Sequence, residues 1–376
     1  MRGQHKGEQQ HGHRQILWTD PEDTKLDEWA NQVEQSSLTI VTTYSGARLQ
    51  PEPHFRYVER YWQSKLSKPS QKPRPRQDAS VRIGIDLGGT KIEIVALDDA
   101  GKELLRHRVT APGESYQATV ERIGELVEEA ETQLGMTGSV GVGMPGAISP
   151  ATGLIKNANS TNLIGHRLDK DLEARWRRPV RVQNDANCFV LSEAVDGSAA
   201  GSEVVFGVIV GTGTGGGIVV NQQVLSGPNA IAGEWGHNPL PWPQPDELPG
   251  PECYCGRRGC VETFLSGPAF ERDFVETGNA PLTAPEIVQL AACGNANADA
   301  CLTRYEHRMA RSLAFVINIL DPDCIVLGGG MSNVDRLYAN VPELWPGLVF
   351  SDTIRTRLIA PAHGDASGVR GAALLW

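Results

Sequence analysis

The sequence predicts an α/β protein built twice over, with two similar halves facing each other. Three observations carry this. From Val81 onward, short apolar runs bounded by Gly, Asn and Asp alternate with stretches of helical period. The start of that region, strand, glycine turn and strand over Ile83–Leu97, recurs about 125 residues later over Val204–Val220, the pattern of an internal repeat. A third glycine run, Gly328-Gly-Gly330, again follows a strand-like segment, Cys324–Leu327.

In chain order, residues 1–80 come first and differ in texture. They hold 12 Lys and Arg against 10 Asp and Glu, whereas the rest of the chain holds 23 against 35. His5, His11 and His13 lie in a polar start with no spacing that fixes a metal geometry. Leu38–Tyr44 could form a strand and Phe55–Leu66 a short helix. Ser67–Gln77 is basic and Pro-rich, which forbids helix and reads as a linker. The expectation for 1–80 is a poorly ordered extension.

The regular elements follow. Val81–Asp86 and Ile92–Leu97 read as strands around Gly88-Gly89-Thr90, and Leu104–Val109 as a third. Tyr116–Leu134 repeats apolar residues at 120, 123, 126, 127, 130 and 134, a helical face. Ser139–Met144 is a strand, Asp169–Arg177 a short helix, Val180–Gln183 a strand and Ala186–Gly197 a helix. Val204–Val210, a turn over Gly211–Gly217 and Ile218–Val220 repeat the opening. Pro239–Pro251, with six prolines, reads as a loop hung between His237 and Cys253.

Composition excludes several classes. The chain has 376 residues, 40% apolar and 21% charged, a globular balance long enough for two domains. No apolar run approaches the roughly 18 residues of a membrane helix. The polar start lacks the apolar core of a secretory signal, so a cytoplasmic protein with reduced thiols is expected. A net charge of −10 argues against binding a phosphate backbone.

The chemistry concentrates in four places. Asp86-Leu-Gly-Gly-Thr-Lys91 joins two strands; Gly88 and Gly89 let backbone N–H groups approach a ligand, Thr90 and Lys91 add a hydroxyl and a charge, and Asp86 is placed to hold Mg²⁺. A tight hairpin turn is the plainer alternative for any one glycine pair. Asn184 and Asp185 stand where a strand gives way to a helix; the carboxylate can take a proton from a bound hydroxyl, or the pair can cap the helix. His237, Cys253, Cys255 and Cys260 form a set suited to tetrahedral Zn²⁺, with all four positions filled by protein, hence structural. None of the glycine runs matches G-x-x-x-x-G-K-[ST] or a dinucleotide fingerprint.

Together, Asp86–Lys91, Asn184–Asn187, Glu234–His237, the Cys253-x-Cys255-x₄-Cys260-x-Glu262 run and Leu327–Gly330 resemble the ROK family of bacterial sugar kinases and sugar-responsive repressors. The resemblance covers about 81–376. Ile155–Thr161 and Gly233–Trp242 are most similar to its fructokinase (mannofructokinase) branch. The resemblance implies the duplicated, ribonuclease H-like fold of actin-like ATPases, two domains around a cleft. These would span 81–197, completed by a terminal helix over 364–376, and 198–363. It implies ATP-dependent phosphorylation of a hexose, D-fructose first, with glucokinase, mannokinase or a sugar-responsive repressor as alternatives. Asp185 would be the general base. Asn159, Asn184, Asp185, Glu234, His237 and Glu262 would bind sugar hydroxyls. Asp86, Gly88, Gly89, Thr90, Lys91, Gly211, Thr212, Gly213, Thr214, Gly328, Gly329 and Gly330 would hold ATP with Mg²⁺. His237 would serve zinc with one ring nitrogen and sugar with the other. The implied partners are ATP and a hexose, without membrane or nucleic acid, and with a homodimer as the assembly to test. Residues 1–80 show no pair of amphipathic helices joined by a short turn, so a DNA-binding module is not expected there.

Overall fold

The computed structural model describes residues 81–113, 115–158 and 160–376. The histidines, strand, helix and linker expected within 1–80 lie outside the described residues, as does Asn159.

Two five-stranded sheets share one topology. The first takes β1 (Arg82–Leu87), β2 (Lys91–Leu97), β3 (Glu103–Thr110), β4 (Ser139–Met144) and β7 (Val180–Asn184) in the order β3-β2-β1-β4-β7. Its three leading strands pair antiparallel, and β4 and β7 add in parallel. The small hairpin of β5 (Ala147–Ile148) and β6 (Ile155–Lys156) stands apart. The second sheet takes β8 (Val204–Val210), β9 (Thr214–Val220), β10 (Gln223–Val224), β11 (Cys324–Gly328) and β12 (Arg357–Ile359) in the order β10-β9-β8-β11-β12, with the same antiparallel and parallel pairings. The expected duplication is therefore a duplication of topology.

Burial explains the strand sequences. β4, β8 and β11 are apolar nearly throughout because both faces are covered. β3 is an edge strand, and its Arg106, His107 and Arg108 are exposed, which discourages edge-to-edge pairing.

The helices cover these sheets. α1 (Tyr116–Leu134) begins where the Ser115 side chain accepts from the Ala118 N–H and ends at Gly135 in the left-handed region. A cap of this kind is worth about 1 kcal/mol. α1 buries Val120, Ile123, Leu126, Val127 and Ala130 in the core of the first half, which also receives Leu168 and Leu172 of α2 (Leu168–Trp176). In the second half, α4 (Glu262–Leu265), α5 (Gly267–Glu276), α6 (Ala284–Ala292), α7 (Ala296–Leu320) and α8 (Asp335–Glu343) build a larger core around Phe206, Phe270, Tyr305 and Trp345.

Two helices join the halves. α3 (Asp185–Val195) packs Phe189, Val190, Leu191 and Ala194 against Val205, Val219 and Val326 of the second sheet. α9 (Ser367–Ala373) packs Val369 and Ala373 against Val95 and Leu97 of the first. They cross so closely that a Cβ on Gly371 would lie 1.7 Å from the Cys188 carbonyl oxygen. Glycine is required there for steric reasons. This crossing sets the N-terminus of α3, and with it Asp185, between the two sheets.

Two sequence expectations shift. The glycine turn is shorter than Gly211–Gly217: strand resumes at Thr214, and Gly215, Gly216 and Gly217 lie within β9. The Pro-rich segment is pinned rather than hanging free. It contains a 3-10 turn, Pro245–Glu247, whose Glu247 is buried and accepts from Arg308 Nε at 2.8 Å and Arg311 Nη2 at 2.7 Å.

Candidate active site

Asp185 is the first residue of α3. Asn184 caps that helix, its Oδ1 accepting from the Ala186 N–H at 2.9 Å and the Asn187 N–H at 3.3 Å. Asn184 Nδ2 donates to the Gly146 carbonyl at 3.1 Å. Its oxygen is thus committed to the backbone, one amide hydrogen to the Gly146 carbonyl, and the side chain also hydrogen-bonds to Asp185. Asn184 starts the helix as its cap, while Asp185, whose Oδ1 also accepts from the Ala186 N–H at 2.8 Å, lines open space.

That space is two adjoining cavities. The larger, about 870 Å³, is walled by Asp86, Gly88, Gly89, Asp185 and Gly328–Gly330, and on its far side by Asp335, Tyr338 and the 360–368 segment. The smaller, about 220 Å³, is walled by Asn157, Asn184, Asp185, Glu234, His237, Tyr254 and Glu262, with Gly211–Gly216 behind. Asp185 lines both. The structure thus gathers Asp86, Gly88, Gly89, Gly328, Gly329 and Gly330 on one wall, and Asn184, Glu234, His237 and Glu262 on another. Gly211, Thr212, Gly213 and Thr214 border the smaller cavity and not the larger. Thr90 and Lys91 are exposed and stand outside both walls.

The carboxylates are electrostatically coupled. Burial, then Asp185 and Glu93, push the Asp86 carboxyl up to about 6, against the pull of Lys91 and Arg108. Burial also pushes Asp185 up to about 6, aided by Glu234 and opposed by hydrogen bonds from the Ala186 N–H, its own backbone and the Asn184 side chain. Two half-buried acids that resist ionisation together fit a cation between ligand and protein, and Asp86 and Asp185 both line the larger cavity. Glu93 sits opposite Asp86 in the β1–β2 register and receives Arg106 Nε at 2.5 Å and Arg108 Nη2 at 2.6 Å.

The smaller cavity has a firm floor. Glu262, at the start of α4, accepts from the Thr214 N–H at 2.9 Å, which ties the glycine turn to the cysteine segment. Trp235 is buried and donates from Nε1 to the Gly215 carbonyl at 2.9 Å. A Cβ on Gly216 would lie 2.8 Å from Trp235 Cδ1, and one on Gly217 2.7 Å from Asn187 Oδ1.

Beside this cavity the ligand atoms of His237, Cys253, Cys255 and Cys260 all lie within 4.8 Å of one another. Cys253 Sγ stands 3.5 Å from His237 Nδ1, and Cys255 Sγ 3.6 Å from Cys260 Sγ. A tetrahedral zinc with ordinary Zn–S and Zn–N bonds has edges of about 3.5–3.8 Å, so the spacing and donor set fit Zn²⁺. His237 Nε2 points away from the sulfurs and meets the Tyr254 hydroxyl at 2.8 Å.

Sequence patterns missed several wall residues. Asn157 and Tyr254 lie inside the Ile155–Thr161 and Cys253–Cys255 runs without standing out there, and Asp335, Tyr338 and Asp365 carry no motif. Glu193 was legible only as a helical residue. It is wholly buried and accepts from the Ala362 N–H (2.8 Å), the His363 N–H (3.2 Å) and the Ser367 hydroxyl (2.7 Å), tying α3 to the 360–368 wall. Burial alone would raise its carboxyl, but these bonds and those from Ser198 hold it below the usual range.

Comparison with known proteins bears on this geometry. The ROK family pattern matches residues 82–376. The chain is 38% identical over 296 residues to the N-acetyl-D-glucosamine kinase of Yersinia pseudotuberculosis serotype O:1b, covering 78% of this chain and 97% of that protein. It resembles the crystal structure of a ROK hexokinase from Thermus thermophilus, with 31% identity, a TM-score of 0.70, and 78% and 97% of the two chains covered. A ROK glucokinase from Streptomyces griseus, solved with glucose and AMPPNP, superposes with a TM-score of 0.64 at 26% identity, covering 79% and 99%.

Proposed function

The chain belongs to the ROK family and is one of its ATP-dependent sugar kinases, and on that premise we propose that its acceptor is N-acetyl-D-glucosamine and that Asp185 is the general base. The observation that carries the mechanism is the position of Asp185 on the shared wall of a larger and a smaller cavity. The larger takes ATP and the smaller the sugar, so their reacting groups meet at this carboxylate.

Asp185 accepts the proton of the attacking sugar hydroxyl. The oxygen forms its bond to the γ-phosphorus as the bond to the ADP oxygen breaks. A base whose pKa lies near 6 is ionised at neutral pH yet more basic than an ordinary aspartate, the compromise that general-base catalysis favours. Gly88, Gly89 and Gly328–Gly330 offer backbone beside the phosphates and adenosine. Mg²⁺ bound with ATP supplies neutralisation of the phosphate charge, and Asp86 is the residue that would hold it. Glu234, Glu262, His237 and Asn184 orient the sugar. Asn159 is assigned to sugar by the motif alone. His237, Cys253, Cys255 and Cys260 would hold a structural Zn²⁺ that fixes the cysteine segment beside Glu262.

The acceptor rests on the relatives. Those at 38–40% identity over 296 residues are N-acetyl-D-glucosamine kinases. This moves the reading away from fructose, which Ile155–Thr161 and Gly233–Trp242 favour by wording alone. The test is a coupled assay of ADP release with N-acetyl-D-glucosamine, glucose, mannose and fructose at one Mg-ATP concentration. The highest kcat/KM is expected for N-acetyl-D-glucosamine. A clear preference for fructose would restore that acceptor, and turnover of none would remove the kinase reading.

A further inference from the structure

Tyr254 lies between two of the four clustered ligands, Cys253 and Cys255, so both its neighbours are tethered. It lines the smaller cavity together with Glu234, His237 and Glu262. Its hydroxyl is 2.8 Å from His237 Nε2, and the two rings meet edge to face with centroids 5.0 Å apart at 90°. Yet Tyr254 is 78% exposed. A side chain this exposed can turn away at little cost in packing, and its removal threatens the fold less than that of a core aromatic.

His237 has two ring nitrogens. Nδ1 is directed at Cys253 Sγ, at 3.5 Å. Nε2 is therefore the one polar atom of the ring left to the cavity, and the phenol of Tyr254 already occupies it. A sugar hydroxyl and this phenol cannot both take the in-line position on Nε2.

We propose that Tyr254 is a displaceable cap on the acceptor site: its hydroxyl holds His237 Nε2 until a sugar takes that hydrogen bond, and every acceptor must displace it. The proposal rests on the assignment of the smaller cavity to sugar. The cap keeps Nε2 of the half-buried His237 hydrogen-bonded in the sugar-free protein. It also makes the residue between the two cysteines a determinant of acceptor affinity rather than of turnover.

The test is Tyr254→Phe in the full, metal-replete chain, with Kd for N-acetyl-D-glucosamine measured by calorimetry without ATP, alongside zinc content and Tm. Deleting the competing hydroxyl should tighten sugar binding about 2- to 10-fold, the worth of one net hydrogen bond. Zinc content and KM for ATP should stay unchanged. Tyr254→Leu, which lacks the hydroxyl in another shape, should move Kd the same way. Unchanged or weaker binding in both variants, with wild type binding normally, overturns the cap alone. A wild type that binds none of N-acetyl-D-glucosamine, glucose, mannose or fructose overturns the sugar site and the cap with it.

Discussion

Gly88 and Gly89 form the turn after β1 in the first half of the chain, whereas Gly215, Gly216 and Gly217 lie inside β9, paired with β8, in a second sheet of the same strand order. Their surroundings differ. A Cβ on Gly89 would meet only the Ser160 hydroxyl, at 3.3 Å. A Cβ on Gly216 would meet Trp235 Cδ1 at 2.8 Å and two carbonyl oxygens at 3.0 Å. The turn is glycine so that a ligand can approach; the strand is glycine in large part because its own protein already has. Charge divides the same way. β1 ends beside a half-buried acid, Asp86, while β8 ends in Val208-Ile-Val210 and leaves its turn to be held by Glu262 and Trp235. A duplicated fold has kept its topology while the surroundings of its glycines have diverged.

Metal removal should separate the halves most strongly. Chelation should release one Zn²⁺ per chain from His237, Cys253, Cys255 and Cys260, lower Tm and weaken sugar binding, because the cysteine segment carries Glu262. The described contacts of the larger cavity do not include these ligands, so affinity for ATP should change far less. Elemental analysis with separate titrations of sugar and ATP reads this; zinc-free protein with full sugar affinity would remove the scaffold role.

Substituting these two glycine sites comes next. Gly216→Ala should destabilise by about 1–3 kcal/mol, the usual cost of overpacking, with Tm as the readout. Gly89→Ala should leave Tm within a degree or two and raise KM for ATP instead. Equal Tm losses would mean that the two sites do the same job.

The smallest expected effect is the pH dependence contributed by Asp86. The folded pKa of Asp86, about 6, lies above the ordinary value of 3.8. Its charge therefore opposes folding above pH 6, and stability is regained as pH falls from about 6 towards 4, where the native state binds the extra proton. Asp86→Asn should raise Tm at pH 7, by on the order of 1–2 kcal/mol in stability, with the difference fading near pH 4. Glu247 and Asp273, whose carboxyls are held low by Arg311 and Arg308 against the effect of burial, act oppositely and at lower pH. An Asp86→Asn protein less stable than wild type at pH 7 would contradict the assignment.

These contrasts also show what was legible in the sequence. The hairpins, α1 and the cysteine set stand out because period, caps and ligand spacing are local. The expected helix Tyr116–Leu134 matches α1 to the residue. The 25 residues of α7 carry a helical period through Ala298, Cys301, Leu302, Tyr305, Met309, Leu313 and Ile317. Glu306, Arg308 and Arg311 interrupt that pattern on the buried side. They can be buried because Arg336, Asp273 and Glu247 pair with them, partners 30 to 64 residues away that no local pattern announces. The same distance hid Glu193 and the 360–368 wall. Asn184 was ambiguous for another reason: a helix cap and a ligand to sugar use the same side chain, and only the bond to the Gly146 carbonyl shows how much of it is spoken for.

The central claim is that Asp185 moves a proton at the junction of the two cavities, and the most direct measurement is the turnover of Asp185→Asn set beside its sugar binding. The account predicts a kcat lower by roughly 10²–10⁴, the worth of a positioned base, with the Kd for N-acetyl-D-glucosamine within a few fold of wild type. A kcat near the wild-type value with the fold intact would contradict it, and would leave Asp185 as nothing more than the first residue of α3.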